Sequence, residues 1–256
     1  MISSKENKAR DFPLRNPDYN PMPEPHTAGY ATCPDGVKLR YAVWLPAQEN
    51  AKGTILFLPG RTEVIEKGYE TIRDFQAKGF AVLSFDWRGQ GGSDRLLEDP
   101  EKGYVDEFDE YVMDLETIIN DVALPDCRAP FYIVAHSMGA LISMLAAPRF
   151  PNKIRRMVLC STFLGIGNQR VSAGTIKLVT GAMTALGLGD MVIGRGRTSV
   201  EKQKSSDSFL TADIDRLARN NRFIDENPDL SIGAPTASWI FAAGKAIDQV
   251  LDPDFT

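Results

Sequence analysis

Histidine is scarce in this sequence, which contains only His26 and His136 in 256 residues. Any role that needs an imidazole, such as general base or metal ligand, therefore has few candidates. The three cysteines, Cys33, Cys127 and Cys160, lie far apart and form no CxxC pair. Neither a disulfide framework nor a cysteine metal site is predicted, which favours a reducing, cytoplasmic compartment.

Long apolar runs and an excess of positive charge are also missing. No apolar run reaches the ~18 residues of a membrane-spanning helix, and the amino terminus, MISSKENK, lacks the apolar core of a signal peptide. The formal net charge is −5, with acidic and basic residues spread along the chain. A nucleic-acid partner is not expected, because such proteins usually present a basic face. The composition, 43% hydrophobic and 25% charged, is that of a globular domain.

The first half of the chain predicts a sheet. Residues 1–27 are polar and rich in proline, and are interpreted as a flexible arm. Asp35-Gly36 predicts a hairpin turn, and the alternation over 37–45 predicts a strand with one covered face. Further strands are expected at the apolar runs 54–58, 80–85, 131–135 and 157–160, with helices between them. Residues 28–162 therefore predict an α/β core with a mostly parallel sheet and helices on both faces.

The pattern becomes helical after residue 163. Helices are expected over 175–188, from an N-cap at Thr211, and from a first turn at Pro235. We interpret residues 163–250 as a helical lid over the crevice, the alternative being three packed core helices. Residues 251–256 are expected to begin a C-terminal part of the core whose strands are missing from this sequence.

One serine stands where a nucleophile is expected. Ala135-His136-Ser137-Met138-Gly139 follows a buried strand and opens a helix, and its small-x-Ser-x-Gly pattern is typical of a nucleophile elbow. The helix N-terminus favours negative charge developing at Ser137. The backbone N–H of Met138 is one expected oxyanion donor, and Arg61 N–H, from the loop after an earlier strand, is the other. A serine that merely caps the helix is the alternative.

Three motifs taken together resemble the α/β-hydrolase superfamily. Leu58–Glu63 is similar to its oxyanion loop, Asp86–Ser93 to its Asp-x-Arg-Gly-x-Gly-x-Ser turn, and 135–139 to its elbow. The particular set, with 209–213 and 233–239, resembles the lysophospholipase and monoacylglycerol-lipase branch over about residues 28 to 251. The resemblance implies a catalytic Ser137, with support from Gly60, Glu63, His136 and Gly139.

The resemblance also implies a reaction. It implies hydrolysis of a lipid ester, a lysophospholipid or a monoacylglycerol, through an acyl-serine intermediate and without cofactor or metal. Peripheral contact with the inner membrane face is a further expectation, and no oligomeric state is predicted. Arg61 is expected to pair with Glu63 and fix the oxyanion loop, the alternative being contact with an anionic head group.

The sequence departs from this family in its triad. The family's acid and histidine follow the nucleophile, whereas here His136 adjoins Ser137 and His26 belongs to the arm. The loop 161–163 carries no carboxylate. We therefore expect the 256-residue chain by itself to lack the triad acid and base and to be inactive, with its last strand left as an open apolar edge. The alternatives are a serine aminopeptidase or proline-releasing peptidase on the same fold, and a non-catalytic truncated derivative.

Overall fold

The centre of the protein is a six-stranded sheet. A computed structural model describes residues 13–24, 26–46, 51–166, 171–193 and 211–255. The strands are β1 (His26–Thr32), β2 (Lys38–Trp44), β3 (Thr54–Leu58), β4 (Ala81–Phe85), β5 (Phe131–His136) and β6 (Ile154–Cys160). Their order is β1-β2-β4-β3-β5-β6; β1, β2 and β4 pair antiparallel, and the other neighbours pair parallel. The predicted hairpin and parallel sheet are confirmed.

Helices cover both faces of this sheet, as predicted. They are α1 (Tyr69–Ala77), α2 (Phe108–Ile118), the single turn α3 (Leu124–Asp126), α4 (Met138–Ala146), α5 (Ala173–Ala185), α6 (Ile214–Glu226) and α7 (Ala237–Leu251). Apolar side chains of α2, α4 and α7 form one core with the sheet, and α1 forms a second core on the opposite face. The carboxyl ends of the parallel strands β3, β4, β5 and β6 meet at one edge, where ligand crevices form in such sheets.

Strand β2 differs from its prediction, because both of its faces are covered. Arg40, on the face expected to be polar and open, is 1% exposed. Its guanidinium donates to Asp86 Oδ2 at 2.7 Å and to Glu66 Oε2 at 2.9 Å. A polar residue can alternate with apolar ones and still be buried when its charge is compensated in this way.

The predicted arm also differs from its prediction in the part that the structure describes. Residues 13–24 pack against the α1 face of the sheet, where Leu14 and Met22 contact the second core. The indole N–H of Trp44 donates to Pro23 O at 3.1 Å. These residues are therefore part of the folded unit, and His26 begins β1.

The helices of region 163–250 pack in different places, some in the core and some outside it. Helix α7 lies in the core with α2 and α4, as the core alternative predicted. Helix α5 packs on α7 and leaves Leu178 74% exposed. The helix starts differ from the predicted ones: Asp213 caps α6, and Thr236 caps α7. Within the described ranges, we find no helix with the length and apolarity needed to cross a bilayer.

Strand β6 lies at the edge of the sheet. It pairs with β5 on one side, and no other described strand pairs with it. Its residues alternate in exposure, and Val158 is 55% exposed. The described sheet thus ends in a partly apolar edge, as the sequence predicted.

Candidate active site

Ser137 occupies a strained turn between β5 and α4. Its φ is 51° and its ψ is −112°, which residues with a side chain rarely adopt. The Ser137 N–H donates to Cys160 O at 3.0 Å, and Phe163 N–H donates to Ser137 O at 3.2 Å. The Ser137 side chain forms no capping hydrogen bond with α4. The helix-capping alternative therefore fails, and the strained turn has the form expected of a nucleophile elbow.

Backbone strain is concentrated at the carboxyl ends of the parallel strands. Apart from Ser137, the non-glycine residues with positive φ among those described are Thr62, at 65°, and Ser161, at 47°. They follow β3 and β6, on either side of β5. Backbone strain tends to persist at functional sites, because the surrounding structure holds it in place.

Two glycines bring the loop after β3 against the elbow. A Cβ added to Gly60 would lie 3.2 Å from Ser137 Cβ, and one added to Gly139 would lie 2.6 Å from Pro59 O. Side chains at these positions would push the loop and α4 apart. Gly60 and Gly139, both predicted to support the site, therefore allow this close approach.

The two predicted oxyanion donors have no hydrogen-bond partner among the described residues. The backbone N–H of Arg61 and that of Met138 donate to no other described residue. Met138 is the first residue of α4, so its amide adds to the positive end of the helix dipole. Because Gly60 adjoins both Ser137 and Arg61, the two amides belong to one small region of the molecule.

Gln90 is a residue of this site that the sequence did not reveal. It is 2% exposed; its Oε1 accepts the Thr62 N–H at 2.8 Å, and its Nε2 lies 3.8 Å from Met138 Sδ. One amide side chain thus contacts Met138, a predicted oxyanion donor, and Thr62, which follows the other predicted donor, Arg61. Trp87 supports the same loop, donating from its indole to Pro59 O at 2.8 Å. Both residues lie in the Asp86–Ser93 turn, but sequence alone did not give their partners.

Glu63 pairs with His136, so the predicted Arg61–Glu63 pair is wrong. Glu63 Oε2 accepts the Gly60 N–H at 2.5 Å and lies 3.1 Å from His136 Nδ1. The hydrogen bond to Glu63 raises the pKa of His136 above its ordinary value. Glu63 thus joins the loop after β3 to the end of β5, through His136 and not through Arg61.

The hydroxyl of Ser137 has no base among the described residues, since none of them hydrogen-bonds to it. His136 is engaged with Glu63, and the Nδ1 of His26 lies 2.7 Å from Glu24 Oε2. Within the described ranges, no cluster of histidine, cysteine or acidic side chains could hold a metal. The structure therefore brings together Ser137, its strained turn and two amides, and leaves the base unassigned.

The strand order, with helices on both faces of a mostly parallel sheet, is that of an α/β hydrolase. The chain belongs to the hydrolase family described as serine aminopeptidase, S33, whose model matches residues 49–254. The chain is 31% identical over 231 residues to the probable lysophospholipase L2 of Haemophilus influenzae, covering 90% of this chain and 72% of that protein. It is 28% identical over 199 residues to rat monoglyceride lipase, covering 77% of this chain and 62% of that one. The predicted branch of the superfamily is confirmed.

Solved structures support the fold. A thermostable carboxyl esterase from Bacillus coagulans, in complex with glycerol, superposes with a TM-score of 0.65 at 15% identity, covering 89% of this chain and 74% of that one. At this identity the likeness concerns the fold alone. It confirms the α/β-hydrolase fold expected from the sequence.

Proposed function

We propose that the protein is a serine hydrolase of lipid esters, with Ser137 as the nucleophile. One observation carries the proposal: the strained Ser137 lies at the N-terminus of α4, beside two backbone amides with no described partner. The names of the relatives, a lysophospholipase and a monoglyceride lipase, support lysophospholipids or monoacylglycerols as substrates.

The proposed reaction follows from these groups. Ser137 Oγ attacks the ester carbonyl carbon and its proton passes to a base, while the carbonyl oxygen becomes an oxyanion. The Arg61 and Met138 amides donate to that oxygen; losing one such donor typically costs about 2.7–4 kcal/mol of barrier. The oxyanion then re-forms the carbonyl and breaks the bond to the glycerol oxygen, which takes the proton back from the base and leaves as an alcohol. Water, giving a proton to the same base, hydrolyses the acyl-serine to the free acid and restores Ser137.

The base of this reaction is proposed to lie outside the described residues. Neither histidine of the sequence hydrogen-bonds to Ser137, so the described residues offer its hydroxyl no positioned imidazole. We expect the chain alone to react slowly with a fluorophosphonate probe. Imidazole added to the solution should accelerate labelling, because it can accept the serine proton.

Labelling in the presence and absence of imidazole tests the assignment of Ser137. Imidazole-dependent labelling should disappear in Ser137→Ala and persist in Ser172→Ala, which alters an exposed serine at the N-cap of α5. Equal labelling of Ser137→Ala and the parent chain would contradict the assignment. Hydrolysis of p-nitrophenyl esters, followed in the same variants, should show the same dependence.

A peptidase remains the second candidate, because the matching family is described as a serine aminopeptidase. A free amino terminus would need acidic partners near the nucleophile. The one carboxylate that this loop carries, Glu63, is already paired with His136. The cationic Arg61 of the same loop would repel an ammonium group. Cleavage of aminoacyl p-nitroanilides in preference to p-nitrophenyl esters would favour the peptidase.

The helical region 163–250 is proposed to contact lipid surfaces. Leu178, Val179 and Leu186 are exposed on or beside α5, within the region predicted as a lid. Exposed apolar patches of this kind mark surfaces that bind partners or membranes. Cosedimentation with anionic and neutral vesicles, compared between the parent chain and Leu178→Ser, tests the contact; identical binding would contradict it.

A further inference from the structure

The guanidinium of Arg61 lies against the first turn of α7 and the residues just before it. Its Nη2 donates to Gly233 O at 2.5 Å, and its Cζ lies 5.2 Å from the centre of the Trp239 ring. A Cβ on Gly103 would lie 2.3 Å from Nη2, so this space is shaped for the arginine side chain. Arg61 therefore occupies a fixed place, bounded by Gly103, Gly233 and Trp239.

Arg61 differs in its charge balance from three other arginines that also carry a buried side-chain nitrogen forming no hydrogen bond. Four arginines among the described residues have a buried side-chain nitrogen without a hydrogen bond: Arg15, Arg61, Arg88 and Arg219. The other three each pair with a carboxylate, from Asp229, Asp114 and Glu70 respectively. No described carboxylate pairs with Arg61, and burial lowers its pKa to about 10. The group is still a cation at neutral pH, and an uncompensated buried charge is costly unless a ligand supplies the counter-charge.

The position of Arg61 ties this charge to the ester site. The same residue supplies the amide proposed to bind the oxyanion, so its side chain begins beside the reacting carbonyl. In a lysophospholipid, only the glycerol unit separates that carbonyl from the phosphate. The extended arginine side chain is of similar length, and a guanidinium matches phosphate oxygens in geometry and charge.

We propose that Arg61 is the specificity-determining residue of the site, its guanidinium binding the phosphate of a lysophospholipid substrate. Monoacylglycerols carry a hydroxyl in place of that phosphate and gain no such contact. This inference rests on the proposed lipid-ester function and decides between its two substrate classes. It assigns to Arg61 a binding role that is separate from the role of its backbone amide.

Equilibrium binding of two short lipids tests the inference. The full chain carrying Ser137→Ala, which prevents turnover, is titrated with 1-octanoyl-lysophosphatidylcholine and with 1-octanoylglycerol. Adding Arg61→Gln should weaken binding of the lysophospholipid by about tenfold or more and leave binding of the monoglyceride unchanged. Arg61→Lys should fall between the two, because lysine keeps the charge and loses the planar fork. Arg128→Gln, an exposed arginine preceding β5, is the matched control and should change neither affinity.

The outcomes separate this inference from the proposed function. If the parent binds both lipids and Arg61→Gln weakens them equally or not at all, the inference is overturned and the function stands. If the parent binds neither lipid, the proposed function fails and the inference fails with it. Urea unfolding supplies a second readout. A purely structural Arg61 would lower the midpoint when replaced by methionine, whereas a ligand-binding arginine predicts an unchanged or higher midpoint, because an uncompensated charge has been removed.

Discussion

Ser137, Thr62 and Ser161 hold backbone angles that most residues with side chains avoid. Each follows a strand of the parallel part of the sheet, so a hydrogen-bonded strand fixes the start of each strained turn. Strain of this kind costs on the order of 1–3 kcal/mol per residue. The strained backbone that places the Ser137 hydroxyl therefore lowers the stability of the fold.

Glycine at position 137 should relieve that strain. We expect Ser137→Gly to unfold with a free energy about 1 kcal/mol higher than Ser137→Ala, because only glycine adopts this conformation readily. Both variants remove the hydroxyl, so their difference isolates the backbone term. Urea unfolding monitored by tryptophan fluorescence measures it. An alanine variant at least as stable as the glycine variant would show that the turn is not strained.

For single residues, the neighbouring sequence was sufficient to predict where some of them lie, but not which partners others contact. Ser137, Gly60 and Gly139 could be placed at the carboxyl ends of the strands from their local motifs, although the contacts that bring Gly60 to Ser137 and Gly139 to Pro59 are long-range. The partner of Arg61 could not, since Gly233 lies 172 residues away in the chain. Glu63 was assigned to Arg61 because of their proximity in sequence, but the loop turns Glu63 toward His136 instead.

Among elements, the contact between α4 and the loop after β3 depends on Gly139. The Cβ of any other residue there would meet the backbone oxygens of Pro59, at 2.6 Å, and Leu58, at 2.9 Å. These are main-chain atoms, so relief requires the loop or the helix to move. Because the loop holds one proposed oxyanion donor and the helix the other, such a movement would separate them.

Alanine at position 139 should therefore disturb both stability and reactivity. We expect Gly139→Ala to lower the free energy of unfolding by about 1–3 kcal/mol and to reduce imidazole-dependent labelling of Ser137. Gly174→Ala is the control: its Cβ would meet nothing closer than 3.9 Å, within helix α5. That variant should gain up to about 1 kcal/mol from helix propensity. Equal effects of the two substitutions would refute the steric explanation.

Strand and helix types were predictable in the core, whereas helix starts were not. The buried strands have continuous apolar runs, and their type follows from that pattern. Thr211 and Pro235 carry plausible start signals, yet Asp213 and Thr236 make the capping hydrogen bonds. Nearby capping residues compete, and tertiary packing of the helix decides between them.

In the whole molecule, α6 is attached to α1 by ion pairs. Glu70 on α1 lies 2.6 Å from Arg216 and 2.8 Å from Arg219 on α6. Hydrogen bonds from these arginines lower the pKa of Glu70 to about 2, from an ordinary value of 4.5. Phe223 adds an apolar contact with Val64 at the end of the oxyanion loop. The attachment of α6 thus depends on a carboxylate that must remain ionised.

Acid should loosen α6. A carboxylate with a depressed pKa contributes its stabilisation above pH 4.5 and loses it as the pH falls toward about 2. We expect pepsin cleavage within α6 to increase over this interval in the parent chain. In Glu70→Gln, the cleavage should already be elevated at pH 4.5 and change less. Glu98→Gln, an exposed glutamate without an ion pair among the described residues, should resemble the parent. The same profile in Glu70→Gln and the parent would exclude Glu70 as the cause.

The edge strand β6 is joined by hydrogen bonds to the backbone of Ser137. Its last residue, Cys160, accepts the Ser137 N–H, and Phe163, just beyond, donates to Ser137 O. The end of this exposed strand therefore holds both backbone groups of Ser137, so a movement of β6 would be passed to the strained turn. Val158, 55% exposed on the same strand, marks where such a movement could be provoked from outside the crevice.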